Sequence, residues 1–264
     1  MSEVSPFDWN PGTYARFRGL RLRPALDLLA RVDDIPPGGP VVDLGCGAGA
    51  VGPVLAKRYP DHRLIGIDAS PAMLAEAGKT GAYDWLSQAD IAGWMPAGEK
   101  PALIYANAVL HWLGAHEDLM PRLAGLLAPG GVLAVQMPGQ FDAASHRLLR
   151  ETAGEMFPDR FEPSEFLPSV AAPEDYARLL APLGRVEAWE TTYVQRLDPA
   201  VTEHPVRRFT EATAMRPFLE RMSAAEAGNF ISAYEAELSA AYPVEEDGTV
   251  LFAFRRVFFT LTRL

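Results

Sequence analysis

Short apolar runs alternate with amphipathic stretches through the first half of the chain. That alternation predicts βαβ units laid into a mostly parallel sheet. From Pro24 to Val32 the apolar positions Ala25, Leu28, Leu29 and Val32 recur at helical spacing. The breaker Ile35-Pro36-Pro37-Gly38-Gly39 ends that helix. A short buried strand is predicted at Pro40–Leu44, and further strands at Leu64–Ile67, Trp85–Gln88, Ala102–Ala106 and Val132–Gln136, the last entered through the turn Pro129-Gly130-Gly131. A helix is predicted over Val51–Tyr59, and Ser70 is placed to cap the next, with Pro71 at its first position.

After Met137-Pro138 the pattern changes. Asp142–Phe157 reads as a helix, the stretch from Pro158 to Pro173 is rich in proline and aromatics, and Glu174–Ala181 is helical again. Arg185–Leu197 reads as a strand, Glu203–Tyr242 as helix interrupted by Pro217, and Val250–Leu261 as a long strand rich in Phe and Val. The expectation is an α/β chain with one domain over residues 1–264. It has a Rossmann-like, seven-stranded, mostly parallel sheet with a terminal antiparallel hairpin. Helical cap insertions at about 141–170 and 198–246 would cover the carboxyl edge, where open α/β sheets bind ligands.

Composition narrows the partners. Hydrophobic residues make up 48% of the chain, enough for a sizeable core, and the formal net charge is −10. Broad electrostatic capture of nucleic acid is therefore not expected. An anionic small molecule would be repelled at long range and would need local arginines. The lone cysteine, Cys46, excludes an internal disulfide and suits a reducing compartment, so a cytoplasmic location is expected. Met1–Asn10 lacks a basic region followed by an apolar run, and no window approaches the ~18 apolar residues of a membrane helix. Neither a signal peptide nor a membrane partner is expected. The five histidines are scattered and predict no metal site. A monomer or weak homo-oligomer is expected.

The chemistry centres on Asp43-Leu44-Gly45-Cys46-Gly47-Ala48-Gly49-Ala50, between a predicted strand and a predicted helix. Glycines there let backbone approach a ligand closely. Gly45-x-Gly47-x-x-Ala50 also satisfies the loose dinucleotide fingerprint, so an NAD-dependent oxidoreductase is one reading. Asp43 favours another. A carboxylate two residues before the first glycine suits the ammonium of S-adenosylmethionine better than a pyrophosphate. Asp68 and Ala69 end the second strand, where a carboxylate can accept both ribose hydroxyls. Asp90 and Ile91 end the third, where an adenine amine can be received. Asn107 follows the fourth and faces the methionine portion.

Together these residues resemble the class I Rossmann-type methyltransferases. Asp8-Trp9-Asn10-Pro11, Tyr14, Phe17, Arg21 and Arg23-Pro24 narrow the resemblance to the trans-aconitate 2-methyltransferase family. So do Gly66-Ile67-Asp68-Ala69-Ser70-Pro71, Ala106-Asn107-Ala108, His111-Trp112-Leu113, Gln136-Met137-Pro138, Pro158-Asp159-Arg160, Thr191-Thr192-Tyr193 and Arg216-Pro217. The sequence departs from that pattern at Ala214-Met215 and at Arg255. The resemblance implies S-adenosylmethionine as cofactor and methyl esterification of a small di- or tricarboxylate, trans-aconitate foremost. Other small acids, phenols and amines remain as alternative acceptors. A carboxylate is already ionised at neutral pH, so positioning and desolvation should carry the reaction rather than a base.

Carboxylates that do not react need cations, and arginine's planar fork suits them. Arg160, Arg196, Arg216, Arg255 and Arg256 are the candidates. Arg21 or Arg23 is expected at the cofactor's carboxylate, with Trp9 and Tyr14 closing over it. Tyr193, His111 and Trp112 are expected near the substrate.

Overall fold

The computed structural model describes residues 18–162, 166, 170–211 and 213–264. Helix α1 spans Arg18–Leu29, β1 Val41–Leu44, α2 Gly52–Arg58, β2 Leu64–Asp68, α3 Pro71–Gly78 and β3 Trp85–Gln88. Then come β4 Leu103–Asn107, α4 His116–Leu126, β5 Val132–Pro138, α5 Ala144–Met156, α6 Pro173–Leu180 and β6 Gly184–Leu197. Helices α7 Pro205–Glu211, α8 Arg216–Leu219 and α9 Ala224–Ala241 precede β7 Val250–Arg263. The seven strands form one sheet in the order β3-β2-β1-β4-β5-β7-β6.

Strands β1 to β5 pair in parallel. The last strand, β7, runs antiparallel to both its neighbours, β5 and β6, as the predicted terminal hairpin requires. Arg263 donates its backbone N–H to Gly131, at the start of β5, whereas Gly139, just past the end of β5, donates to Arg255. Along β6 and β7, the N–H of Leu264 reaches Leu183, and Arg196 reaches Thr249 at the opposite ends.

The chain divides into two compact units. The first comprises 1–138, 169–191 and 257–264, and the second 139–168 and 192–256. In the first, β1 and β5 are buried on both faces, which explains why they read as unbroken apolar runs rather than alternating ones. Val42, Leu44, Ile104, Ala106, Val135 and Met137 share one core with Tyr176, Leu180, Val257 and Phe259. On the opposite face, the buried Tyr105 hydroxyl donates to the carbonyl of Ala25 in α1 at 2.5 Å. Each fully buried Leu or Val of this core contributes ~1.5–3 kcal/mol.

In the second unit Phe161, Phe166, Phe218, Phe230 and Tyr234 form a run of neighbouring rings with centroids 5.1–6.4 Å apart. Ser223 and Glu226 make the capping box that starts α9.

Two boundaries differ from expectation. Helix α1 begins at Arg18 and runs through Pro24, whose fixed φ suits a helix although it removes one N–H from the ladder. Pro217 follows the expected interruption, which falls between α7 and α8. It lies in the first turn of α8, where its missing N–H costs nothing. The interrupted helical stretch expected over 203–242 comprises α7, α8 and α9.

Gly184 opens β6 so close to β7 that an added Cβ would sit 2.0 Å from the Thr262 carbonyl oxygen. Backbone cannot yield as a side-chain tip can. Gly184→Ala is expected to cost roughly 1–3 kcal/mol, seen as a lower urea midpoint with an unchanged m-value.

Candidate active site

The loop after β1 is stitched to β2 by its own backbone. Gly45 and Cys46 both donate N–H groups to the Ile67 carbonyl, at 2.7 and 2.9 Å. Gly47 donates to Asp68 Oδ2 at 2.8 Å. The glycines do different work. Gly45 has φ +77°, and a Cβ there would fall 2.4 Å from Val109 Cγ2. Gly47 has φ +53°, and a Cβ there would meet nothing within 4 Å. One glycine thus permits packing inward, and the other leaves the space beside its backbone open to a ligand.

Asp68 is half-buried, and its Oδ1 accepts the Ser70 N–H at 2.9 Å. It does not cap α3, because the Ser70 hydroxyl takes that role through the Met73 N–H. Its remaining lone pairs are available to hydroxyl donors.

Asp43 is buried, 3% exposed, and accepts the Tyr83 hydroxyl at 2.7 Å. Burial raises its pKa to about 7, with the Asp68 charge adding and the Tyr83 hydrogen bond opposing. The Cys46 thiol is pushed up by the same burial and is held unreactive. Sequence reasoning missed Tyr83. Its ring lies in a slot made by two glycines. A Cβ on Gly52 would be 2.6 Å from the ring, and one on Gly66 2.9 Å. A glycine inside strand β2 was the available signal.

Asp90 is exposed and accepts the Ala92 N–H at 2.9 Å, while Ile91 packs into the core. Arg122 holds this turn by donating to the carbonyls of Ile91 and Trp94, both at 2.9 Å. The Ala69 carbonyl accepts from the Gln88 side chain at 3.1 Å. Asn107 ends β4 with its Oδ1 buried and without a hydrogen-bond partner among the described residues. Ala108, next in the chain, has φ +55°, a strained conformation for a residue with a Cβ. His111 and Trp112 follow in a 3₁₀ turn with ring centroids 4.6 Å apart, and Trp112 is 50% exposed. That turn is anchored by the buried His116, whose ring nitrogens bond the Leu110 carbonyl at 2.9 Å and the Tyr176 hydroxyl at 2.6 Å.

In the second unit the arginines differ. Arg160 grips Glu226 through both terminal nitrogens, at 2.5 and 3.3 Å, and holds that carboxyl down at about 2. Arg196 bonds Asp247 and Thr249, and Arg216 pairs with Glu220 at 3.5 Å. Arg255 donates to the Gly139 carbonyl at 2.8 Å. Arg256 is only 4% exposed and lies 4.0 Å from the Phe254 ring centroid. Tyr193 is half-buried. Trp9 and the side chain of Arg21 lie outside the described residues.

A family model described as a methyltransferase domain matches residues 14–184. A trans-aconitate 2-methyltransferase of Paracidovorax citrulli is 43% identical over 97% of this chain and 98% of its own length. One from Methylobacterium nodulans is 42% identical over 97% and 98%. The chain belongs to the trans-aconitate 2-methyltransferase family. It is an S-adenosylmethionine-dependent methyltransferase, and the oxidoreductase reading falls away.

Solved structures agree on the fold alone. The YcgJ protein of Bacillus subtilis has a TM-score of 0.55 at 14% identity, covering 92% of this chain and 99% of its own. Phosphoethanolamine N-methyltransferase 2 of Haemonchus contortus has 0.54 at 15%, covering 96% of this chain and 57% of that one.

The donor set of this family member fits its cofactor. A buried acid, an open glycine backbone and a carboxylate at the end of β2 lie within one stitched loop, and Asn107 adds an unpartnered oxygen. No group of side chains able to hold a metal ion occurs among the described residues.

Asp43 makes the ligand-free stability depend on pH. Its folded pKa lies above its unfolded value, so between about pH 4 and 7 the folded state binds the extra proton, and stability falls as pH rises. Asp43→Asn removes that slope and keeps an acceptor for Tyr83. Relative to wild type, the variant is expected to gain at most ~1.4 kcal/mol per pH unit across that window and nothing further above it. Thermal melts at stepped pH check this.

Proposed function

We propose that this chain transfers a methyl group to a carboxylate oxygen of a small di- or tricarboxylate, trans-aconitate foremost, giving the methyl ester. The observation that carries this is near-full-length identity of 40–43% to proteins named trans-aconitate 2-methyltransferase. That identity spans both compact units, not only the cofactor half.

In this reading Asp43, Gly45 and Gly47 receive the amino-acid tail of the cofactor, and Asp68 with Ala69 receives the ribose. Asp90 and Ile91 receive the adenine. Asn107, with Trp9 and Arg21, completes the methionine end. S-adenosylmethionine supplies an electrophilic methyl group on a sulfonium. The side chains need move no proton, because the acceptor carboxylate is ionised at neutral pH. Their task is to hold the acid in line and keep water out, and such positioning can offset ~7–11 kcal/mol of a barrier.

Arg216, Arg255 and Arg256 take the carboxylates that do not react, and Tyr193, Arg196, His111 and Trp112 are further candidates for contacting the acid. A bound anion displaces the exposed Glu220 from Arg216 more readily than it breaks the two-bonded Arg160–Glu226 pair. Arg160 accordingly serves the second unit's own structure. The reaction is placed in the cytoplasm, which the buried, unpaired Cys46 suits, in a monomer or weak homo-oligomer. No helix among the described residues is long and apolar enough to cross a membrane.

Radiolabelled transfer across a panel of small acids tests the reading. A labelled product that releases methanol in base is expected from trans-aconitate. Activity only with amines or phenols, rising with pH, would refute it. Arg216→Ala is expected to raise KM for the acid at least tenfold with S-adenosylhomocysteine affinity unchanged. Asp68→Ala should do the reverse, weakening S-adenosylhomocysteine by roughly 10–100-fold, the loss of hydrogen bonds to a charged acceptor. Steady-state kinetics and calorimetry read the two effects.

A further inference from the structure

Gln136 in β5 is 0% exposed, and neither its Oε1 nor its Nε2 has a hydrogen-bond partner among the described residues. A primary amide buried dry is costly, and such groups are rare without a reason. The neighbouring strand supplies the context. Gln136 stands in register with Asn107 of β4, whose buried Oδ1 also lacks a partner. The Gln136 carbonyl accepts the N–H of Ala108, the residue held at positive φ. Val135 and Met137 point into the core on one face of the sheet, so Gln136 points to the other, the face of Tyr105 and α1. Two amides thus lie side by side at the carboxyl ends of adjacent strands, on one face, with hydrogen-bonding capacity left over. Nearby apolar residues would have filled the place without that cost.

We propose that Gln136 is a specificity-determining residue that binds a carboxylate of the methyl acceptor through its amide N–H, beside Asn107. The inference rests on the cofactor residues proposed above, which lie at the ends of β1, β2 and β3. A methyl acceptor approaches from the side opposite the leaving group, and the next strand ends along the sheet are those of β4 and β5. Gln136 lies two strands from β1, about 10 Å away at ordinary strand spacing, beyond the loop that takes the cofactor. A neutral amide suits this place. It donates to a carboxylate without neutralising it, so the oxygen keeps its nucleophilic charge, which a guanidinium would quench.

The test titrates trans-aconitate into protein saturated with S-adenosylhomocysteine, for wild type, Gln136→Met and Gln136→Glu. Methionine fills the same volume without polar ends, and glutamate keeps the shape but brings a repelling charge. For Gln136→Met, at least tenfold weaker trans-aconitate binding is expected, with S-adenosylhomocysteine affinity within twofold of wild type and an unchanged or higher Tm. For Gln136→Glu, the acid should bind still more weakly at pH 8 than at pH 6, a dependence wild type lacks. If Gln136→Met does not fold, Gln136→Glu alone carries the test. Equal trans-aconitate affinity in wild type and variants would overturn the assignment. So would a loss of S-adenosylhomocysteine affinity matching the loss for the acid, which would place Gln136 at the cofactor's own carboxylate. Wild type failing to bind S-adenosylhomocysteine would instead overturn the cofactor reading. Wild type binding it but not trans-aconitate would overturn the substrate and Gln136 together.

Discussion

The backbone stitch between the loop after β1 and the end of β2 is the constraint on which the site depends. Three consecutive N–H groups, those of Gly45, Cys46 and Gly47, turn toward β2, two onto the Ile67 carbonyl and one onto the Asp68 carboxylate. They can do so only because the chain reverses through positive φ at Gly45 and Gly47. The same turn sets Asp43, at the end of β1, near enough to Asp68 for their charges to interact. Loop geometry and site electrostatics therefore have one cause. A substitution that relaxed the turn would move an acid and a hydrogen-bond donor together.

Asp43 carries the second half of that argument. A carboxyl with a pKa near 7 is poised between charged and neutral forms, and burial rather than any partner sets that balance. Tyr83 keeps the group hydrogen-bonded in either form. A cationic group brought against Asp43 would draw it to the charged form, so ligand binding and proton release are coupled at this position.

Much of this was legible in the amino-acid sequence. The alternation of apolar runs with helical stretches predicted a mostly parallel sheet ending in an antiparallel hairpin, and β1 and β5, buried on both faces, left a continuous apolar signature. The glycine loop and Asp68 were legible because their chemistry is local, within a few residues of a strand end. Long-range partners were not. Tyr83 meets Asp43 across forty positions of chain, and only Gly52 and Gly66 hinted at the slot. The pairing of Arg160 with Glu226 was equally hidden, since sequence shows a cation but not the acid that folding brings to it. Gln136 read as an ordinary member of a family motif until the strand register put it beside Asn107.

The first unit is closed by residues that lie far apart along the chain. Val257, Phe259 and Leu261 belong to its core, yet they arrive after the whole of 192–256, which belongs to the other unit. Strand β5 and its partner β7 are thus separated by more than a hundred residues of intervening chain. During synthesis, the parallel strands emerge first and wait with one edge of β5 unpaired. Such an edge invites association with other nascent chains. The enzyme should therefore be more vulnerable while it is being made than once it is finished, and its folding yield should respond to chaperone supply and growth temperature more than its native stability would suggest.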